Sequence, residues 1–88
     1  MSKTVVVGSR IGLHAAPAQI IASAASAYED PILLSHAGTG ESVNAGSALL
    51  IMMLGAEYGA CVTVSSADAG AVEHIADLIS RDLEKARS

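Results

Sequence analysis

Ile32-Leu33-Leu34-Ser35-His36, then Ala37-Gly38-Thr39-Gly40, then Glu41-Ser42-Val43-Asn44: this run decides the fold. Its first five residues read as a strand, the glycine-bearing four as a turn, and the last four as a short third strand. Two strands joined by so short a turn run antiparallel, because parallel neighbours need a long crossover. A chain that alternates strands and helices, yet joins some strands directly, favours an antiparallel sheet with helices on one face. The class expected is α+β.

Outward from that hairpin the elements fall into order. Towards the N-terminus, Lys3 to Gly8 reads as a strand. Ala15 to Tyr28 reads as a helix of small residues with Ile20 and Ile21 on its buried side, ended by Glu29-Asp30-Pro31. Towards the C-terminus, Ser47 to Leu54 reads as a short helix closed by Gly55. Ala60 to Ser65 alternates as a strand, with Val62 and Val64 on one face and Cys61 and Thr63 on the other. Asp68 is an N-cap candidate for a long last helix, in which Val72, Ile75, Ala76, Ile79 and Leu83 recur at three- and four-residue steps. Arg81, Lys85 and Arg87 lie near its C-terminal end, where cations suit the helix dipole. The order is β-α-β-β-α-β-α, with no internal repeat, linker or low-complexity segment.

Composition bounds the function. The 88 residues make one domain, 1–88, with one modest core. Apolar residues are 51% of the chain, but seventeen are alanine and there is no Trp or Phe, so the core is aliphatic. The net charge of −4, with five Lys and Arg that form no patch, argues against nucleic acid as a partner. No basic, apolar leader opens the chain, and no apolar run reaches membrane-spanning length. Cys61 is the only cysteine, so no intramolecular disulfide forms, and the setting expected is the reducing cytoplasm. Cys61 itself reads as buried and inert. His36 and His74 are isolated, and no histidines or cysteines have metal-ligand spacing. No nucleophile-elbow motif supports a Ser-His-Asp triad. Gly38-Thr39-Gly40 lacks the Gly-Lys-Ser/Thr of a phosphate loop. Tyr28 and Tyr58 read as packing residues at a helix end and in a loop.

Two stretches carry chemistry. The first is Gly12-Leu13-His14-Ala15-Ala16-Pro17-Ala18. His14 stands where the first strand gives way to a helix. Pro17 falls in the first helical turn, where a missing N–H costs little. A side chain at that junction faces unpaired amides and the positive end of the dipole, features that favour an anion. His14 is thus placed to carry a phosphoryl group, with the backbone of Ala15 and Ala16 as the phosphate-binding amides. The plainer reading is an ordinary surface or core histidine.

The second stretch is Val43-Asn44-Ala45-Gly46-Ser47-Ala48-Leu49-Leu50-Ile51-Met52-Met53-Leu54-Gly55. Leu50, Ile51 and Leu54 share one face by spacing. Leu49, Met52 and Met53 share another, with Ala48 beside them. A domain this small does not easily bury both, so a Met and Leu patch left outside points to a partner surface. The plainer reading is a tilted helix that hides both faces. Ser47 begins this helix as an N-cap. Phosphorylation there adds about −1.5 to −2 charges beside Leu49 and Met52, enough to suppress docking without refolding.

Together the two stretches resemble the HPr family, the histidine-containing phosphocarriers of the bacterial phosphoenolpyruvate-dependent sugar phosphotransferase system. Gly12-Leu13-His14-Ala15 with Pro17-Ala18 matches the phosphohistidine motif. Val43-Asn44-Ala45, then Ser47 and Leu54-Gly55, match the regulatory serine segment. The resemblance covers essentially the whole chain. It implies an open-faced β-sandwich: four antiparallel strands in the order 1-4-2-3, with three helices on one face. It implies that His14 accepts a phosphoryl group on Nδ1 from enzyme I and passes it to an enzyme IIA domain. No metal or organic cofactor is implied. Ser47 becomes the target of a serine kinase/phosphorylase in lineages that have one. Ala48, Leu49 and Met52 fall in the partner-docking surface of a monomer.

One residue departs from the pattern. The family motif carries Arg immediately before the proline, and this chain has Ala16. That arginine offers a cation to the phosphate. Losing such a charge-assisted contact costs about 1.5–3 kcal/mol. Where the contact is made mainly in the transition state, transfer slows by roughly tenfold to a hundredfold. Two other readings therefore stand beside phosphoryl transfer. One is a regulatory or transfer-impaired HPr-like protein that acts mainly through partner binding. The other is a non-catalytic interaction domain that keeps only the patch around Leu49.

Overall fold

The computed structural model describes residues 1–82. Four strands, β1 (Ser2–Val6), β2 (Ile32–His36), β3 (Ser42–Asn44) and β4 (Cys61–Ser66), form one antiparallel sheet in the order β1-β4-β2-β3. Three helices, α1 (Ala15–Ser26), α2 (Ala48–Met53) and α3 (Ala69–Ser80), follow β1, β3 and β4. The expected element order, antiparallel class, sheet order and open-faced α+β architecture all hold. No helix among the described residues is long and apolar enough to cross a membrane.

The core lies between the sheet and the helices. From the sheet, Ile32, Leu34, Val62 and Val64 are buried. From the helices, Ala18, Ile21, Ile51, Val72, Ile75, Ala76 and Ile79 meet them. Small residues let α1 approach closely, and Ala18, Ala22 and Ala25 are its buried alanines. Ile20 is only half-buried and packs on the rim of the core. Asp68 caps α3 as its position suggests, its Oδ1 accepting from the Ala71 N–H at 3.1 Å. The α-helical segment ends at Ser80, and Arg81 is extended and ion-paired to Asp77 at 2.8 Å. Leu83, Lys85 and Arg87, assigned to this helix by spacing, lie outside the described residues.

The boundaries move for physical reasons. After Val6 the chain leaves the ladder, but the Val7 N–H still donates to the Ala60 carbonyl and the Gly8 N–H turns to the Ile79 carbonyl at the end of α3. Helix α1 stops at Ser26, and Ala27 and Tyr28 continue it only through tighter i→i−3 bonds to Ala24 and Ala25.

No described helix lies on the other sheet face. The register aligns Thr4, Thr63, Ser35 and Ser42 across all four strands. Thr4 and Thr63 hydroxyls lie 2.7 Å apart, and those of Ser35 and Ser42 lie 2.6 Å apart. Cys61 belongs to this face and is exposed, which corrects its reading as buried. The alternation along β4 is as expected, but only the Val62 and Val64 side is covered. Tyr58 is also exposed rather than packed. Tyr28 does pack on the core, and its hydroxyl lies 2.8 Å from His74 Nδ1. His36 has a local partner too, because its Nδ1 accepts the Gly38 N–H at 2.9 Å.

Candidate functional site

His14 is the N-cap of α1, held in extended backbone. Its side chain caps nothing. Pro17 has no N–H, and the amides of Ala15 and Ala16 stand in the first turn, where no intrahelical partner exists. Ala15 has φ +47°, the only positive φ outside glycine among the described residues. An L-residue with a Cβ pays for that conformation in strain, and such strain collects at functional turns. The His14 side chain is 36% exposed, open enough to meet a partner.

The loop that presents His14 is fastened to the segment after α2. Gly12 has φ +78°, and a Cβ there would lie 2.8 Å from the Ala56 carbonyl oxygen and 3.0 Å from Glu57 Cα. Only glycine satisfies both the conformation and the approach. Its N–H donates to the Ser9 carbonyl at 2.9 Å, and the Leu13 N–H donates to the Ala56 carbonyl at 2.9 Å. Leu13 is then sealed in the core, and His14 follows at the surface.

That arrangement brings Glu57 to the histidine. Its Oε2 lies 3.2 Å from His14 Nε2. No other side chain hydrogen-bonds or ion-pairs with His14 among the described residues. Of the described cations, Lys3 pairs with Glu73 and Arg81 with Asp77. Arg10 is exposed in the loop before His14 and makes no ion pair among the described residues. Glu57 was invisible to sequence reading: it stands 43 positions away and belongs to no motif. The one local signal was Gly12, a glycine that marks a close backbone approach without naming what approaches.

The second stretch folds around its cap. Ser47 Oγ accepts the Leu50 N–H at 3.2 Å, so Ser47 is the N-cap of α2. Gly55, with φ +73°, reverses the chain after the helix. Ile51 and Leu54 are buried, while Leu49 is 64% exposed and Met53 is exposed. Three residues differ from the two-face division. Leu50 is exposed, although spacing groups it with Ile51 and Leu54. Met52 and Ala48 are half-buried and pack against the core rather than standing free. In a six-residue helix on a curved core, the buried stripe is centred on Ile51 and takes in both its flanks unequally. The exposed apolar surface is thus Leu49, Leu50 and Met53, with Ala48 and Met52 at its edge. The chain leaving α2 passes directly to Ala56 and Glu57 beside His14, and so links the two stretches.

No described group of His, Cys, Asp or Glu is arranged to hold a metal ion.

Known proteins share this chain's sequence pattern and fold. Residues 1–81 match the family described as the PTS HPr component phosphorylation site. The chain is 38% identical over 86 residues to a phosphocarrier protein HPr of Streptomyces coelicolor, covering 94% of this chain and 91% of that one. The fold matches the crystal structure of a phosphocarrier protein HPr from Bacillus anthracis with a TM-score of 0.82. Identity there is 28%, over 90% of this chain and 95% of the other. It also matches HPr-C-His from Thermoanaerobacter tengcongensis with a TM-score of 0.81 and 30% identity, over 90% of each chain. A strand leading to a histidine N-cap, a capped serine helix beside it, and a family match that spans both place the chain in the HPr family.

Proposed function

We propose that this protein accepts a phosphoryl group on His14 Nδ1 from phosphorylated enzyme I and passes it to an enzyme IIA domain. Family membership makes it a phosphocarrier of the phosphotransferase system. The residue and the two partners are our reading. The observation that carries it is His14 at the N-cap of α1, partly exposed, next to first-turn amides that no side chain occupies. Those amides suit the oxygens of a phosphoryl group on the adjacent ring. Leu49, with Ala48 and Met52 beside it, is the docking surface of this proposal. Ser47 at the mouth of the same helix is the site of a phosphorylation switch by a serine kinase. The place of action is the cytoplasm.

The test is direct. Incubation with enzyme I and phosphoenolpyruvate adds one phosphoryl group, labile to acid and stable to alkali as a phosphoramidate is. His14→Ala abolishes it; replacing His36 or His74 does not. Label that persists in the His14→Ala protein moves the active residue elsewhere.

A second reading draws on a specific observation, the charge around His14. The motif's arginine position holds Ala16, and the side chain that contacts the ring is an acid, Glu57. Both features weaken the attraction for an incoming anion. They favour a slow carrier whose main output is partner binding. Transfer rate measured against docking affinity separates the two.

A further inference from the structure

We propose that Glu57 is a positioning residue for His14: it holds the ring in the tautomer that presents Nδ1, and it balances the charge the ring gains when Nδ1 is phosphorylated. This rests on the reading of His14 as the phosphoryl acceptor.

The tautomer follows from the chemistry of the contact. A carboxylate has only acceptor atoms, so the 3.2 Å bond to Glu57 Oε2 requires the proton on Nε2. The neutral ring then carries its lone pair on Nδ1. A histidine with no partner exchanges between both tautomers and offers the wrong nitrogen part of the time. Here one nitrogen is tied and the other is left as the nucleophile.

Glu57 stands where the fold puts it, despite a side chain that is 71% exposed. Its own carbonyl accepts the Ala60 N–H at 3.0 Å. The preceding carbonyl, of Ala56, accepts from Leu13, the residue before the histidine. Gly12 lets the Glu57 Cα come close, and Glu57 Oε1 lies over the same glycine, 3.2 Å from where a Cβ would be. One carboxylate oxygen faces Gly12 and the other faces Nε2. The contact is thus tied by backbone on both sides.

The charge argument follows the electrons. The Nδ1 lone pair forms the new N–P bond. The bond that held phosphorus to the phosphorylated enzyme I breaks, and its electron pair returns to that donor. His14 keeps its Nε2–H throughout, so its ring passes from neutral to cationic as the phosphoryl group arrives. Onward transfer reverses this: the Nδ1–P bond breaks, the pair returns to Nδ1, and the ring is neutral again. The Glu57 carboxylate meets that transient cation through Nε2–H, on the edge of the ring away from phosphorus. It therefore favours the phosphorylated state, although its charge does nothing to attract the incoming anion.

Two variants divide the roles. Glu57→Gln keeps an acceptor oxygen and loses the charge; Glu57→Ala loses both. Nitrogen-15 shifts of the His14 ring in the unphosphorylated protein report the tautomer ratio. The phosphorylated fraction at a fixed phosphoenolpyruvate to pyruvate ratio, with catalytic enzyme I, reports the charge term. An exposed pair of this kind commands roughly two- to fivefold. Glu57→Ala should raise the Nδ1–H tautomer by that factor and lower the phosphorylation equilibrium by a similar one. Glu57→Gln, whose amide can accept from Nε2–H or donate to a bare Nε2, should move the tautomer ratio no further than Glu57→Ala does and still lower the equilibrium. All three proteins should melt together. Ring shifts unchanged in Glu57→Ala, or an equilibrium unchanged in both variants, overturn the proposal. Label persisting in His14→Ala is a different failure. It overturns the phosphohistidine reading, and the charge-balancing role with it, whatever the tautomer measurement gives.

Discussion

Ala16 lies half-buried in the first turn of α1, two residues after His14 and immediately before Pro17, where the family motif carries arginine. Alanine and arginine are both strong helix formers, so the exchange costs the fold little. Its effect belongs to the anion. Ala16→Arg should raise the rate of phosphoryl transfer by roughly tenfold to a hundredfold. Stability should move by no more than about 0.5 kcal/mol. Stopped-flow transfer from phosphorylated enzyme I, set beside a urea melt, checks both halves. A rate equal to the parent's would mean that another cation, such as Arg10, already serves the phosphate. The place of His14 and Ala16 at the start of α1 could be read in the sequence because the whole signal is local: strand, histidine, proline, helix. Glu57 could not, since its meeting with His14 depends on how the chain returns after α2. Nor could the φ of Ala15, which nothing in the alanine itself announces.

Helix α2 shows what a short element can and cannot reveal. Ser47 is legible as a cap because capping depends on four consecutive residues, and the Ser47–Leu50 bond bears it out. The faces are less legible. Six residues make under two turns, so a small rotation exchanges which flank of Ile51 is covered, and Leu50 and Met52 trade places accordingly. The same limit applied to Cys61: period two told its face from that of Val62, but not which face the helices cover. The burial difference within α2 makes a sharp comparison. Leu54 is 3% exposed against 64% for Leu49. Leu54→Ser buries a hydroxyl and removes core volume, and should cost about 3 kcal/mol or more. Leu49→Ser should cost under about 1 kcal/mol, mostly in helix propensity, and yet weaken partner binding. Ser47→Asp should keep the cap and the fold, because aspartate caps as well as serine, while its charge weakens docking. Denaturation midpoints and titrations of a labelled enzyme I decide the matter. Equal destabilisation by Leu49→Ser and Leu54→Ser would place Leu49 in the core. Parent-like binding by Ser47→Asp would leave the switch without a basis.

Across the whole molecule, the strand that leads to His14 is fixed by distant parts of the chain. The Met1 ammonium donates to the Ser66 carbonyl at 3.0 Å, and the Ser66 N–H donates back to the Met1 carbonyl. Lys3 reaches Glu73 on α3 at 2.9 Å. At the other end of β1, Gly8 abuts the last turn of α3. Its N–H donates to the Ile79 carbonyl at 3.0 Å, and a Cβ there would fall 2.0 Å from the Ser80 carbonyl oxygen and 2.6 Å from its carbon. The atoms in the way are backbone, so no rotamer relieves the clash. Gly8→Ala must push the end of α3 off β1, lose the Gly8–Ile79 bond, and disturb the loop that carries His14. Overpacking alone costs about 1–3 kcal/mol, and a buried carbonyl left unpaired adds a similar amount. We expect a loss of at least about 2 kcal/mol, or a fall in Tm of about 8–16 °C for a domain of this size. Gly70→Ala is the control. Gly70 lies inside α3, and its added methyl meets only the Asp68 Oδ1 at 3.3 Å. There the better helix propensity of alanine should offset the close contact, leaving stability equal or up to about 1 kcal/mol higher. The two substitutions add the same methyl group to the same kind of residue. Their separation in a thermal melt therefore measures how tightly the last helix is docked against the strand that presents the histidine. A Gly8→Ala protein that melts with the parent would show that docking to be loose.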